Sequence, residues 1–342
     1  MDAAFPSAGR HHKLWAVGRV FVTRTVPGDA LQLLAAGGHD VDLWPGEMPP
    51  GQDALAEHLR HADAAMTMVS DRIDATMLAA SPRLRIIANV AVGYDNVDPK
   101  VADAAGVWLT NTPGVLAETT ADLAFALLLA AARRVVESDR DTRQGGWLTW
   151  SPTAFLGADV HGATLGIVGL GEIGRAVARR AAGFSMRVIY TQRTRRPELE
   201  ASLGVEWATL PELLAQADFV SLHVTLNETS RALIGLPEMM AMKPTAFLIN
   251  TSRGQVIDQD ALVAALAAGR IAGAALDVTD PEPLPKNHAL FTFPNVVITP
   301  HIASASVATR SKMATMAAQN VLAVLAGGPP PNPVNRPPPP RG

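Results

Sequence analysis

The sequence predicts an α/β protein with doubly wound parallel sheets arranged in two domains. Short β-branched runs alternate with helical patterns along nearly the whole chain, which is typical of parallel βαβ units. One of these units carries a glycine-rich turn between strand and helix at 169–174. The 342 residues are enough to build two domains, each with its own hydrophobic core.

The first series of strands precedes the glycine-rich turn. Strands are predicted at 19–23, 41–44, 64–69 and 86–90, with helices at 31–36 and 54–60 between them. A single long helix is predicted over 118–136. Because it is apolar on almost every face, we expect it to be buried at a domain or subunit contact. The glycine-rich segment that follows carries Trp147 and Trp150, which indicates an exposed arm that packs on another surface.

The glycine-rich turn lies between two strand-forming runs, 165–168 and 187–190, in the order G-x-G-x-x-G. That order, in that context, is typical of dinucleotide-binding turns of the Rossmann type, where the helix N-terminus receives the pyrophosphate. Gly174 is expected to let the helix pack closely on the strand. The predicted cofactor contacts of this turn are Gly169, Leu170, Gly171, Glu172 and Ile173.

The end of the second strand of this unit indicates which dinucleotide is bound. Gln192 lies 23 residues after Gly169 and is neutral, whereas NAD sites usually carry Asp or Glu about 20 residues on. Three of the next four residues, 193–196, are arginines, and guanidinium groups can hold a 2′-phosphate through two hydrogen bonds. A solvated basic loop is the alternative. We therefore predict NADP(H), with NAD(H) as second choice, and contacts from Gln192, Arg193, Thr194 and Arg195.

Composition excludes several classes of partner. The formal net charge of −3 favours neither nucleic acid nor an anionic membrane as a partner. The chain has no cysteine, which excludes disulfides and thiolate metal sites, and no metal site is predicted. The longest apolar run, 123–132, is too short to span a bilayer, and the first residues lack the apolar stretch of a signal peptide. A cytoplasmic protein is expected.

Polar residues follow the later predicted strands, which are 219–224, 246–250, 273–277 and 295–299. Because the carboxyl ends of parallel strands share one edge of a sheet, Arg253, Glu282 and His301 are expected at that edge. Reducing a 2-oxo acid requires a cation to hold the substrate and a proton donor for its oxygen, roles that suit arginine and a histidine paired with a carboxylate. Taken singly, each residue is as well explained by a structural role.

Several segments resemble the D-isomer-specific 2-hydroxyacid dehydrogenase family, and within it the glyoxylate/hydroxypyruvate reductase branch. They include AVGYDNVD, NTPGVLAETTADLAFALLL, GLGEIG, NTSRGQVID and TPHIASA, and the resemblance covers residues 20–335. It implies that Arg253 binds substrate, that Glu282 supports the histidine, and that His301 is the general acid/base. Thr225, where the family commonly has proline, and Ala303, where glycine is frequent, depart from the pattern.

The resemblance also implies further contacts and an assembly. The backbone amides of Val92 and Gly93 would hold the substrate carboxylate, and Trp150 would reach the active site of the neighbouring subunit in a homodimer. The remaining cofactor-side positions are Thr225, Thr251, Asp277 and Ala303.

The same resemblance implies a discontinuous substrate domain into which the nucleotide domain is inserted. The expected parts are 1–114 (substrate domain), 115–303 (NAD(P)-binding domain) and 304–328 (a C-terminal helix returning to the substrate domain). A proline-rich tail, 329–342, is expected to have no packed structure.

The predicted activity is the NADP(H)-dependent reduction of glyoxylate or hydroxypyruvate to D-2-hydroxy acids. One alternative is reduction of another 2-oxo acid, such as 2-ketogluconate. A second alternative is a non-catalytic, nucleotide-sensing protein similar to the corepressors that keep the same three residues. The neutral Gln192 and the basic loop favour the reductase over an NAD(H) sensor.

Overall fold

The computed structural model describes residues 17–338, which form two compact units of parallel strands and helices. Residues 1–16 of the first predicted domain and 339–342 of the predicted tail lie outside the described residues. The units divide after Pro113 and after Thr309. No α-helix within 17–338 combines the length and the apolar character needed to cross a membrane.

The first unit contains the described residues up to Pro113 and those from Arg310 onward. Its elements are β1 (Arg19–Val22), α1 (Ala30–Ala36), β2 (Asp40–Leu43), α2 (Gln52–His61), β3 (Ala64–Thr67), α3 (Ala75–Ala79), β4 (Ile86–Asn89), α4 (Pro99–Ala104), β5 (Trp108–Thr110) and most of the C-terminal helix Val307–Leu325. The five strands are parallel in the order β2-β1-β3-β4-β5. Side chains alternate across this sheet, so that Val20 packs against α1 and the C-terminal helix whereas Phe21 packs against α2.

The second unit, Gly114–Thr309, holds the larger sheet. Its elements are α5 (Ala117–Ala132), α6 (Val135–Arg143), β6 (Thr164–Val168), α7 (Glu172–Ala182), β7 (Arg187–Thr191), α8 (Pro197–Leu203), β8 (Val205–Trp207), α9 (Leu210–Gln216), β9 (Phe219–Leu222), α10 (Leu236–Ala241), β10 (Phe247–Asn250), α11 (Gln259–Ala267), β11 (Gly273–Leu276) and β12 (Val296–Ile298), followed by the first turn of α12 (Val307–Leu325). Seven parallel strands run in the order β12-β11-β10-β9-β6-β7-β8. One apolar cluster packs α5 and α7 on one face, and another packs α9, α10 and α11 on the other. The predicted doubly wound α/β fold is confirmed.

The prediction of one helix over 118–136 is wrong, because the helix is interrupted after Ala132. Arg134 has a φ of 53°, in the left-handed region, and a second helix, α6, starts at Val135. The Arg134 guanidinium binds both carboxylate oxygens of Glu137 at 2.8 and 2.6 Å, and the Ala132 carbonyl accepts a hydrogen bond from the amide of Ala158. The break is invisible in the sequence because an arginine occupies the left-handed position where glycine usually ends a helix.

The expectation that the proline-rich tail has no packed structure is also wrong for part of it. The Val334 amide donates to the Leu109 carbonyl at 2.8 Å. The Asn335 side chain accepts from the Leu109 amide at 2.7 Å and donates to the Val107 carbonyl at 2.9 Å. Because β5 is an edge strand whose outer peptide groups would be unpaired, these bonds satisfy that edge.

Candidate active site

The glycine-rich turn joins β6 to α7, and each glycine has its own physical reason. Gly169 has a φ of 97°, and a Cβ there would lie 2.6 Å from the His223 carbonyl oxygen. A Cβ on Gly174 would lie 2.1 Å from the Gly169 oxygen, so a larger residue would separate helix from strand. Gly171 faces open space, with nothing within 4 Å of where its Cβ would be. The turn is therefore closed toward the protein and open where a ligand approaches.

His223 packs against this turn through its backbone, since a Cβ on Gly169 would lie 2.6 Å from its carbonyl oxygen. Its Nε2 lies 2.8 Å from the Ser221 hydroxyl, and burial lowers the pKa of His223 to about 4. The imidazole is therefore neutral at physiological pH.

The residues around the turn fit a nicotinamide dinucleotide. Helix α7 begins at Glu172 without a side-chain cap, which leaves its first N–H groups available for phosphate oxygens. At the same edge of the sheet, the Thr251 hydroxyl is buried and has no hydrogen-bond partner within the described part of the chain. A buried polar group without a partner is costly, so this hydroxyl is suited to a bound polar group. Thr225 lies in the exposed loop after β9, at the same edge.

Gln192 connects the glycine-rich turn to the basic loop. Its Oε1 accepts from the Leu170 amide at 3.3 Å, and its Nε2 donates to the Thr194 carbonyl at 2.6 Å. Both residues were predicted to contact the cofactor. The bonds of Gln192 fix the start of the loop relative to the turn.

The arginines of the basic loop differ in their surroundings. Arg195 forms a two-point ion pair with Glu200, at 2.8 and 2.7 Å, and its guanidinium lies 5.8 Å from the centre of the Trp207 ring. Arg196 pairs with Glu198 at 3.4 Å. Arg193, by contrast, has no ion pair or hydrogen bond from its side chain to any residue in 17–338. The basic loop therefore has one unengaged guanidinium among its described contacts.

Arg253 follows the end of β10, in a loop that is shaped by a buried asparagine. The Asn250 side chain donates to the Arg253 carbonyl at 2.8 Å and accepts from both the amide and the hydroxyl of Ser252. The Arg253 guanidinium donates to the Ser252 carbonyl at 2.8 Å. Asn250 is fully buried, so the loop conformation is set from inside the sheet.

Gly254 brings the loop of Arg253 against the loop that leads to Glu282. A Cβ at position 254 would lie 2.0 Å from the Thr279 oxygen and 2.7 Å from the Asp280 nitrogen. Only a residue without a side chain permits this approach. Two of the three predicted reaction residues thus lie on backbone segments in direct contact.

His301 and Glu282 form a close pair. The imidazole Nδ1 lies 2.5 Å from a Glu282 carboxylate oxygen, and both side chains remain partly exposed. His301 has a φ of 54°, and its amide donates to the Asp277 carbonyl at 2.9 Å. Glu282 therefore fixes the orientation of the imidazole ring through Nδ1.

The buried carboxylate of Asp277 holds the segment that carries His301. It accepts from the Thr299 hydroxyl at 2.6 Å and from the amides of Ile302 and Ala303, each at 2.8 Å. Asp277 is 1 % exposed, which makes these bonds insensitive to solvent. The strained backbone of His301 is therefore supported on both sides by one residue.

The remaining predicted site residues lie in three segments of the chain. Val92 and Gly93 belong to the loop after β4, in the first unit. Trp150 lies in the segment between α6 and β6 and is 79 % exposed. Glu172 and Ile173 form the first turn of α7.

Known proteins share both the sequence and the fold. Residues 125–303 match the NAD-binding domain of D-isomer specific 2-hydroxyacid dehydrogenases. The chain is 53 % identical, over 319 residues, to a glyoxylate reductase of Korarchaeum cryptofilum, covering 93 % of this chain and 96 % of that protein. The chain belongs to the D-isomer specific 2-hydroxyacid dehydrogenase family. It is accordingly an oxidoreductase that acts on CH–OH donors and uses a nicotinamide cofactor to reduce 2-oxo acids.

Solved structures of similar proteins agree with the assignment. The TT0316 protein of Thermus thermophilus is 49 % identical, with a TM-score of 0.88 over 92 % of this chain and 99 % of that one. An NADPH-dependent glyoxylate/hydroxypyruvate reductase of Sinorhizobium meliloti, in complex with NADP and malonate, is 33 % identical, with a TM-score of 0.81 over 93 % of this chain and 96 % of that one. The recognition of the family from the sequence is confirmed.

Sequence reasoning missed two residues that shape the site of this dehydrogenase. Asn250 and Gly254 flank Arg253 in the segment NTSRG, but neither was singled out. The available signals were a polar residue ending a fully apolar strand and a glycine directly after a predicted substrate-binding arginine.

Proposed function

We propose that this dehydrogenase is an NADP(H)-preferring glyoxylate/hydroxypyruvate reductase that forms D-2-hydroxy acids. The main support for the proposal is the close contact between His301 and Glu282. The segment of His301 is held in place by hydrogen bonds to the carboxylate of Asp277. Glu282 follows β11 and His301 follows β12. They lie at the same sheet edge as the Arg253 loop, which follows the neighbouring strand β10. An acid/base histidine beside an arginine suits reduction of a carbonyl next to a carboxylate.

In the proposed reaction, Arg253 binds the substrate and polarises its carbonyl, and the amides of Val92 and Gly93 bind its carboxylate. The hydride for the carbonyl carbon comes from the reduced nicotinamide. His301 donates the Nε2 proton to the carbonyl oxygen, which becomes the hydroxyl of the product. Glu282 accepts a hydrogen bond from Nδ1 and orients the ring for the transfer.

The preference for NADP(H) is proposed to depend mainly on Arg193. Its side chain lacks partners in residues 17–338, so it can turn to a 2′-phosphate without breaking an existing ion pair. Arg195 uses Nε and one terminal nitrogen on Glu200 and retains the other terminal nitrogen for a second contact. The neutral Gln192 adds no repulsion.

Exchange of Arg193 for alanine is expected to weaken the binding of NADPH much more than the binding of NADH. A charge-assisted hydrogen bond contributes about 1.5–3 kcal/mol, so the KM for NADPH should rise roughly tenfold or more while that for NADH changes by less than about threefold. The matched control is Arg196→Ala, which removes an exposed guanidinium that is paired with Glu198. Steady-state rates with each cofactor measure both. If Arg193→Ala and Arg196→Ala have the same KM for NADPH, the proposal that Arg193 contacts the cofactor is wrong.

A homodimer is proposed because the second unit exposes a large apolar surface. Trp147, Leu148, Trp150 and Leu156 are between 66 and 90 % exposed. A cavity of about 380 Å³ lies at the amino ends of β10 to β12, and its lining includes residues 130–132 of α5, Leu156, Phe247 and Val297. Exposed apolar patches of this kind mark interaction sites, and Trp150 is proposed to contribute to the partner's substrate site. A monomeric mass by light scattering would contradict this assembly.

A further inference from the structure

The loop after β4 offers three successive backbone N–H groups. The amides of Val92, Gly93 and Tyr94 donate to no acceptor within residues 17–338. Backbone donors are rarely left unpaired in folded proteins, and successive N–H groups form concave anion sites. These three amides are therefore available to a ligand.

The carbonyl groups of the same peptides are tied to two asparagines. The Asn111 side chain donates to the Val92 carbonyl at 2.8 Å, and the Asn89 side chain donates to the Gly93 carbonyl at 2.8 Å. A trans peptide is planar, with its C=O and N–H pointing in opposite directions. Fixing the Val92 carbonyl therefore directs the Gly93 N–H away from Asn111. Fixing the Gly93 carbonyl directs the Tyr94 N–H away from Asn89 in the same way.

A buried polar network holds Asn89 in place. Asn89 is fully buried, accepts from the Thr67 hydroxyl at 3.2 Å and donates to the Asn96 side chain at 3.1 Å. Asn96 in turn donates to the carbonyls of Met68 and Asp71. Residues at the ends of β3 and β4 thus hold the side chain of Asn89 in place. The other asparagine, Asn111, directly follows the end of β5.

We propose that Asn111 and Asn89 are positioning residues that orient the Gly93 and Tyr94 amides toward the substrate carboxylate. The inference rests on the proposed function, in which the amides of Val92 and Gly93 bind that carboxylate, and it adds the amide of Tyr94 to them. Without the two side-chain donors, either peptide could rotate and present its carbonyl oxygen to the anion. The contact would then change from attractive to repulsive, with no loss of any group that touches the substrate.

The test is the exchange Asn111→Leu, which keeps the size of the side chain, adds no charge and removes the donor. The KM for glyoxylate and the inhibition constant of oxalate should both rise roughly tenfold to a hundredfold, the effect of one hydrogen bond to a charged group. The kcat and the KM for NADPH should stay within about threefold, because proton donor and cofactor site are unchanged. Asn111→Ala is the second variant if leucine does not pack.

The matched control is Asn335→Leu, which makes the same exchange at a buried asparagine. Within residues 17–338, the side chain of Asn335 hydrogen-bonds to the backbone of residues 107 and 109. This exchange should lower the melting temperature without changing either constant. The inference would be overturned if the inhibition constant of oxalate is unchanged in Asn111→Leu. It would also be overturned if Asn111→Leu and Asn335→Leu impair kcat, both KM values and oxalate binding to the same extent. If the wild-type chain reduces no 2-oxo acid, the proposed function fails. Calorimetric binding of oxalate to wild type and Asn111→Leu then decides the role of Asn111 separately.

Discussion

Replacing His301 by asparagine is expected to lower kcat by about 10²- to 10⁴-fold, the usual contribution of a general acid/base. Asparagine is chosen because residue 301 has a φ of 54°, a conformation that asparagine tolerates well. The backbone bonds to Asp277 should therefore survive, and only the titratable ring is lost. The KM for NADPH should change by less than about threefold. Steady-state kinetics and NADPH fluorescence titration measure the two effects.

The companion variant is Glu282→Gln, which keeps the shape of the group that contacts Nδ1 of His301. Its kcat should fall less than that of His301→Asn, because the proton donor remains and loses only the carboxylate that orients its ring. A kcat for His301→Asn within about tenfold of the wild-type value would contradict the assignment of His301 as proton donor.

Exchange of Gly254 for alanine is expected to lower kcat/KM for the 2-oxo acid by about 100-fold or more. The new Cβ would lie 2.0 Å from the Thr279 oxygen, so the two backbone segments must separate. Arg253 lies on one segment and Glu282 three residues beyond the other. Displacements of about 1 Å in an active site commonly cost about 10²-fold in rate.

The control for this variant is Gly51→Ala, at a glycine with nothing within 4 Å of the added Cβ. Its kinetic constants should equal those of the wild type. Circular dichroism melting separates loss of the fold from displacement of the loop. Wild-type kcat/KM in Gly254→Ala would show that the contact between the two segments is irrelevant to the reaction.

The fold was predictable because its strongest local signals agree with one another. The apolar run before Gly169 and the β-branched run after the helix form β6 and β7, two adjacent strands of the second sheet that both lie inside its edges. The three-residue strand β8 was missed because its pattern is too short, and one of its residues is a glutamate. The helix break near Ala132, whose carbonyl accepts from the amide of Ala158, and the pairing of Asn335 with β5 involve contacts between residues distant in sequence. Local patterns do not contain such contacts.

The site was predictable only in part. Arg253, Glu282 and His301 follow three predicted strands, so their common edge could be inferred from the chain order. The bonds that fix them could not be inferred, because Asn250 and Asp277 act through buried hydrogen bonds to backbone groups. The different surroundings of Arg193 and Arg195 also depend on the position of Glu200, which the basic pattern alone does not give.

The most direct test of the proposed function is the rate of glyoxylate and hydroxypyruvate reduction by the wild-type chain, measured in parallel with NADPH and NADH. We predict turnover of both acids and a preference for NADPH of about tenfold or more in kcat/KM, equivalent to about 1.4 kcal/mol. Turnover with NADH preferred would contradict the cofactor assignment. Absence of turnover of either acid with either cofactor would contradict the proposed reductase activity.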